Sequence, residues 1–278
     1  MLYVVGTPIG NPDDFSSRAK DILSSVDLIA CEDTRTTALF LSKFSIRNHL
    51  ISYHDHNRAK RNVELVSMLR EGKDIALVSD AGMPCISDPG EELVRICHEQ
   101  NISVTVIPGP VAAMSAIAVS GLDSRRFFFE GFLPASGKER KERLKKLSEI
   151  EYTFVLYEAP HRIVRTLKDL KDEELGNRRL TVCRELTKKY EEILFVTVEE
   201  ALAYYEKKEP KGEFVLVLEG KTDIEKKEAF RSLSEKEKFE IINQMKESGM
   251  STRDISRVIS KEWMISSKDA YQLVLQMK

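Results

Sequence analysis

Residues 75–97 read IALVSDAGMPCISDPGEELVRIC, and the order of residue types in that stretch decides the fold. Ile75–Ser79 is a nearly continuous apolar run, the pattern of a strand covered on both faces. Asp80–Gly90 interrupts it with Gly82, Pro84, Pro89 and Gly90. Apolar residues return at Leu93, Val94 and Cys97, a helical spacing. The same unit of strand, loop and helix recurs on both sides. Further strands are predicted at Leu2–Val5, Leu28–Cys31, Leu50–Tyr53 and Val104–Ile107, with helical periodicity between them, as at Val63, Val66 and Leu69. Such alternation implies an open, largely parallel α/β sheet.

The pattern breaks around Gly121–Arg126 and then resumes. Strands are predicted at Phe127–Phe129, Thr153–Tyr157, Leu180–Arg184, Ile193–Val196 and Phe214–Leu218, with helices over Lys138–Leu147 and Ile163–Leu170. The fold expected is therefore α/β with two lobes, 1–122 and 123–220. Residues 221–278 form an appendage: a charged, strandless connector over Lys221–Arg231, then helices only. Ser234-x-x-Glu237, Ser251-x-x-Asp254 and Ser266-x-x-Asp269 each set a capping hydroxyl three residues before an acid, marking three helix starts. Three short helices are similar to a helix-turn-helix. Residues 235–278 carry eight Lys/Arg and seven Asp/Glu, and so lack the basic footprint of a DNA reader. A packing or assembly role is expected for them.

Composition narrows the function. The 278 residues are 42% hydrophobic and 32% charged, enough to build cores and too apolar for a disordered chain. Lys and Arg number 43 against 45 Asp and Glu, so no overall positive field draws the chain to nucleic acid or anionic lipid. Cys31, Cys85, Cys97 and Cys183 have neither disulfide-frame nor zinc-ribbon spacing, which points to reduced thiols in the cytoplasm. MLYVVGTPIG lacks a basic leader region. The uncharged stretch Gln100–Leu122 is split by Pro108-Gly109-Pro110 into pieces too short to span a bilayer.

Gly and Pro cluster after three strands: at Gly6–Gly10, Asp80–Gly90 and Pro108–Pro110. In open α/β sheets ligands bind beyond the carboxyl ends of the strands, so these loops converge on a backbone-lined pocket. No dinucleotide, P-loop or nucleophile-elbow fingerprint is present. The residue pattern alone reaches a small-molecule pocket in an α/β enzyme.

Ten motifs say more: GTPIGN (6–11), CEDTR (31–35), SYHDHN (52–57), SDAGMPCISDPG (79–90), IPGP (107–110), SGL (120–122), GFLP (131–134), EAPHR (158–162), RELTK (184–188) and KGEFVLV (211–217). In order and spacing this set resembles the 16S rRNA (cytidine-2′-O)-methyltransferase branch of the tetrapyrrole methylase superfamily, over about the first 220 residues. Pro12, Met83 and Cys85 depart from the branch's usual residues and alter only pocket lining.

The resemblance implies S-adenosylmethionine bound between the lobes, a homodimer, no metal, and a substrate ribose in the decoding region of the small ribosomal subunit. Carried over by motif, the cofactor contacts are Pro8, Asp80, Ala81, Gly82, Ile86, Val111, Ala112, Tyr157, Leu186, Gly212 and Glu213. Catalytic candidates are Asp33, Arg35, His161, Glu185 and Lys188, with Glu32 beside them. Asp33 and Arg35 equally suit a helix cap, and His161 a helix-start contact. RNA contacts are expected from Lys138, Arg140, Lys141, Arg162 and Arg184, with Arg125, Arg126, Arg178 and Arg179 adding charge; the bland reading of helix 138–147 is a solvated face with Glu139–Arg143 and Glu142–Lys146 pairs. His54-Asp55-His56 offers too few ligands for zinc. The alternatives are a precorrin-type C-methyltransferase and a non-catalytic nucleic-acid-binding regulator.

Overall fold

Five short apolar strands, Leu2–Val5 (β1), Leu28–Cys31 (β2), Leu50–Ser52 (β3), Ile75–Leu77 (β4) and Val104–Ile107 (β5), pair side by side in the order β3-β2-β4-β1-β5. Every neighbour in this sheet is parallel. The structure, a computed structural model, describes residues 1–277. Helices Ser17–Ser25 (α1), Thr34–Ser42 (α2), Arg58–Arg70 (α3) and Glu91–Glu99 (α4) cross between the strands. Alternate residues of β2 feed opposite cores: Ile29 and Cys31 pack with Phe15, Leu23 and Leu41, whereas Leu28 and Ala30 pack with Leu65, Leu69 and Leu93. Burial on both faces is why these strands lack polar alternation.

The second sheet contains Phe127–Phe132 (β6), Thr153–Glu158 (β7), Arg179–Arg184 (β8), Glu192–Thr197 (β9) and Phe214–Leu218 (β10), in the order β6-β7-β10-β8-β9. Only β6 and β7 are parallel; the other pairs are antiparallel. The parallel expectation therefore describes the first sheet alone. The short segment Glu185–Glu191 joins β8 to β9 as a hairpin, and a hairpin can join only antiparallel strands.

Helix Ala112–Ser120 (α5) ties the sheets together. It follows β5, yet its Ala113, Ala116 and Ile117 pack on Val155, Cys183, Val215 and Val217 of the second sheet. The opposite face of that sheet is covered by Gly137–Glu149 (α6), Ile163–Leu170 (α7) and Val198–Tyr205 (α8).

Beyond residue 220 the connector expected to be irregular is a helix, Asp223–Ser232 (α9). Thr222 and Glu225 form a reciprocal capping box at its start, a local helix signal set among charged residues. Glu235–Glu247 (α10), Thr252–Glu262 (α11) and Ser267–Gln276 (α12) follow, each with its Ser cap in place. These four helices close over their own core of Ile242, Ile255, Ile259, Trp263 and Val274. The tail is fastened to the second lobe by Lys226–Glu151 (2.6 Å) and Arg178–Glu225 (2.8 Å). Among the described residues no helix is long and apolar enough to cross a membrane.

Candidate functional site

The loop after β1 and the loop after β4 are stitched together. Thr7 N donates to the Gly82 carbonyl at 2.8 Å, and Gly82 N donates back to the Thr7 carbonyl at 3.2 Å. Gly82 has φ +82°, a conformation that disfavours a side chain. The loop after β5 presses against the first: a Cβ on Gly6 would lie 2.6 Å from the Gly109 Cα. These are the three loops whose Gly and Pro content pointed to a pocket.

Between them and the second sheet lies a cavity of about 350 Å³, at the lower end of the ~300–1,000 Å³ typical of small-molecule sites. Ile9, Asp80, Ala81, Gly82 and Ile86 line it from the first lobe, with Val111 and Ala112 at the start of α5. Tyr157, Cys183, Leu186, Glu213 and Val215 close it from the second. The second sheet can contribute because Phe214 pairs with both Glu158 and Arg184, bringing the amino end of β10 to the carboxyl ends of β7 and β8. Tyr157 is fixed by the Ala113 amide, which donates to its hydroxyl at 3.1 Å, and by edge contacts with Phe129 and Phe132.

Of the expected cofactor contacts, Pro8 and Gly212 are not in the lining. Pro8 is buried, and of the Gly212–Glu213 turn only Glu213 reaches the lining. Glu32, Ser87, Asp88, Phe132 and Pro160 also reach the cavity. Each belongs to a motif already singled out, but which side chain turns inward depends on how the loops fold.

The charge of the cavity is one-sided. Its lining includes Glu32, Asp80, Asp88, Glu158 and Glu213 and no Lys, Arg or His. Glu158 is held by Arg162 at 3.2 Å and Glu213 by Lys188 at 2.8 Å. Glu32, Asp80 and Asp88 have no basic partner within ion-pair distance among the described residues. Burial, then the Asp80, Asp88, Asp55 and Asp33 carboxylates, push the Glu32 pKa above its usual value. Burial likewise raises Asp80, and raises Asp88 against a lowering hydrogen bond from Ser79. A phosphate-bearing ligand would be repelled here, and a cationic one attracted. Burial pushes the Cys183 thiol up to about 12 and Cys85 up to about 11.

The catalytic candidates separate. Asp33 caps α2, accepting from the Arg35 amide at 2.8 Å and the Arg35 guanidinium at 3.0 Å. Those bonds hold its carboxyl down at about 2, the behaviour of a cap and not of a proton acceptor. His161 is exposed beside Pro160 and outside the lining. Lys188 donates to Glu185 and Glu213, both at 2.8 Å, and its chain lies where a Gly10 Cβ would stand. Thr187 Oγ1 accepts from the Asn11 amide at 3.2 Å. Burial works to raise Glu185 and to lower Lys188, but their pairing reverses both. Residues 185–188 thus strap the second lobe to the first.

Three expected RNA contacts and one of the added charges need correction. The Arg140 guanidinium is 3% exposed; it pairs with Asp169 at 2.6 Å and donates to the Pro134 carbonyl and Thr166. Arg162 donates to the Leu133 carbonyl at 2.6 Å besides holding Glu158. Arg184 is spent on Glu192 at 3.2 Å, and Arg178 is buried against Glu225. Each turns inward because an acid on a neighbouring element waits for it. Lys138, Lys141, Lys145 and Lys146 stay exposed on α6. There Glu139 reaches Arg143 as expected, whereas Glu142 reaches Lys138 and not Lys146. His54 Nε2 lies 3.1 Å from Asn57, and no metal-binding cluster occurs among the described residues.

Residues 1–202 match the family model of tetrapyrrole (corrin/porphyrin) methylases. A Synechocystis protein named ribosomal RNA small subunit methyltransferase I is 45% identical over 278 residues, covering 100% of this chain and 98% of that one. A Thermotoga maritima protein of the same name is 47% identical over 220 residues, 79% of this chain and 98% of its own. Among solved structures, diphthine synthase superposes with TM-score 0.62 at 13% identity, covering 80% of this chain and 90% of that one. Uroporphyrin-III C-methyltransferase from Thermus thermophilus, complexed with S-adenosyl homocysteine, gives 0.56 at 17% identity, covering 78% and 96%.

Proposed function

The chain belongs to the tetrapyrrole methylase family, in company with the ribosomal RNA small subunit methyltransferase I proteins, and we propose on that premise that it methylates a ribose 2′-oxygen of a cytidine in the decoding region of 16S rRNA. The observation that carries this reading is the two-lobed cavity walled by carboxylates and free of basic residues. S-adenosylmethionine, with its ammonium and sulfonium charges, suits such walls, and when bound it supplies an activated methyl group.

The residues divide the work. Asp80 and Asp88 offer negative charge to a cationic donor. Ile9, Val111, Leu186 and Val215 exclude water from the pocket, which strengthens those interactions. Tyr157, whose oxygen already accepts the Ala113 amide, keeps its proton to donate into the cavity. Thr187, which accepts from the Asn11 amide, and the Lys188 chain packed on Gly10 hold the two lobes at one spacing, with Glu185 and Glu213 keeping Lys188 in place. Good alignment can be worth ~7–11 kcal/mol of the barrier. A ribose hydroxyl must also lose its proton, and we assign that role to Glu32, which lines the cavity, has its pKa raised by burial and neighbouring carboxylates and, unlike Asp33, serves no cap. A general base contributes roughly 10²–10⁴-fold.

The rRNA reading is preferred to tetrapyrrole methylation because identity to the rRNA group is 45–47%, against 17% for the uroporphyrin enzyme. Such a substrate places the enzyme in the cytoplasm. A second copy would cover the apolar surface formed by Val106 on edge strand β5 and Met114 and Val119 on α5. Light scattering should give twice the chain mass, and Val119→Glu should shift it toward monomer.

Mapping ribose methylation on small-subunit RNA, from cells with and without the gene and after incubation with purified protein and donor, tests the function. One cytidine should gain a 2′-O-methyl mark; an unchanged map would refute the reading.

A further inference from the structure

The tail's near-zero net charge conceals a one-sided distribution. Arg253, Arg257 and Lys261 recur every four residues along α11 and so share one face of it. All three are exposed, and among the described residues none has an acidic partner within ion-pair distance. They border a concavity completed by Ser260, Ser267 and Tyr271, with no acidic residue in its lining. Ser267 opens α12, so the amino end of that helix, with its partial positive charge, meets the same hollow. The Tyr271 ring is 47% exposed there, an aromatic face beside three cations. The acids of α11 are elsewhere: Asp254 accepts from the Ser251 cap, and Glu262 is not in the lining.

We propose that this α11–α12 concavity is a docking site for the RNA phosphodiester backbone, separate from the methyl-transfer cavity. The inference rests on the reading of an RNA substrate and answers a problem that reading creates. A cavity walled by unpaired carboxylates cannot grip a polyanion, so the grip has to lie outside it. Clustered cations with hydroxyls and an aromatic face are the equipment of backbone contact, which positions without reading sequence. The tail is pinned by Lys226 to Glu151, just before the amino end of β7, whereas the cavity opens at the carboxyl end of β7 near Tyr157 and Glu158. At ~3.3 Å per strand residue those ends are about 20 Å apart. A tail anchored that far from the cavity suits a large folded RNA, held at one place and modified at another.

The test uses the full chain carrying Arg253→Gln, Arg257→Gln and Lys261→Gln together. Affinity for a small-subunit RNA fragment spanning the decoding region is measured by fluorescence anisotropy across a salt series. Removing one cation that meets a phosphate should flatten the slope of log affinity against log salt by ~1, so the triple change should remove about 2 to 3. KM for RNA should rise by about tenfold or more while kcat stays within about twofold, and heat of binding of S-adenosyl homocysteine should be unchanged. Arg253→Lys with Arg257→Lys should keep the wild-type slope, and Lys227→Gln with Lys236→Gln should leave it unaltered. A wild-type slope in the triple variant, or equal flattening in the Lys227/Lys236 control, would overturn the docking site. If the wild-type chain binds no RNA at any salt, the RNA reading and this site fall together.

Discussion

Two hollows in this molecule face opposite kinds of ligand. The cavity between the sheets draws Glu32, Asp80 and Asp88 from the ends of two strands of one sheet and has no base in its lining. The hollow of the tail gathers Arg253, Arg257 and Lys261 from one helix and has no acid in its lining. Over the chain these fields cancel to a net charge of −2. A partner approaching within a Debye length, ~8–10 Å, meets one field or the other and not the sum. Net charge therefore excludes a uniformly basic surface and says nothing about a local one.

The contrast can be broken most sharply at the cavity. Asp80→Asn should weaken S-adenosylmethionine binding by about a hundredfold, since losing one unit charge about 5–6 Å away at effective dielectric ~20 costs ~3 kcal/mol. Calorimetry reads this directly, and RNA affinity at the tail should be unaffected. A comparable loss, of stability and not of binding, is expected from Arg140→Ala. It leaves Asp169 only the more distant Arg165, at 3.9 Å, and removes the buried guanidinium's bonds to Pro134 and Thr166, costing ~3 kcal/mol in urea unfolding. Lys141→Ala, one residue away and exposed, should stay within ~0.5 kcal/mol. Glu32→Gln should lower kcat by about a hundredfold with donor affinity within threefold.

A gentler probe is pH. Asp80 and Asp88 both have raised pKa values, so on acidification they take up protons earlier than ordinary carboxyls. Binding of a cationic ligand should accordingly weaken as pH falls through that raised range and level off above it. Tail binding of RNA, which depends on Arg and Lys, should show no such decline. The smallest effect is expected from Thr222→Ala, which removes the cap of α9 for ~1 kcal/mol, seen as an earlier tail transition in thermal unfolding.

Legibility followed the range of the interactions. The parallel sheet was readable at Ile75–Cys97 because burial on both faces leaves a continuous apolar run. Helix starts at Ser234, Ser251 and Ser266 were readable because a cap acts over three residues. The same rule applied to Thr222 would have revealed α9. Most cofactor candidates reach the cavity because the Gly- and Pro-rich loops must lie at the strand ends.

Charged side chains were the poorest guide. Arg140, Lys141 and Arg162 look alike as letters, yet one is sealed against Asp169, one is in water and one is clamped to Glu158. Glu32 and Asp33 are adjacent, and only the start of α2 decides that Asp33 is spent on amides while Glu32 faces the cavity.

What the amino-acid order determined by itself is the set of elements and the loops that carry the pocket, since apolar period, glycine and caps act through near neighbours. What only tertiary structure decided is the fate of each charge. Whether a carboxylate or guanidinium is paired, buried or free depends on which element the fold lays beside it, as Asp169 beside Arg140 and Glu225 beside Arg178, and that is decided only when strands, helices and tail are packed together.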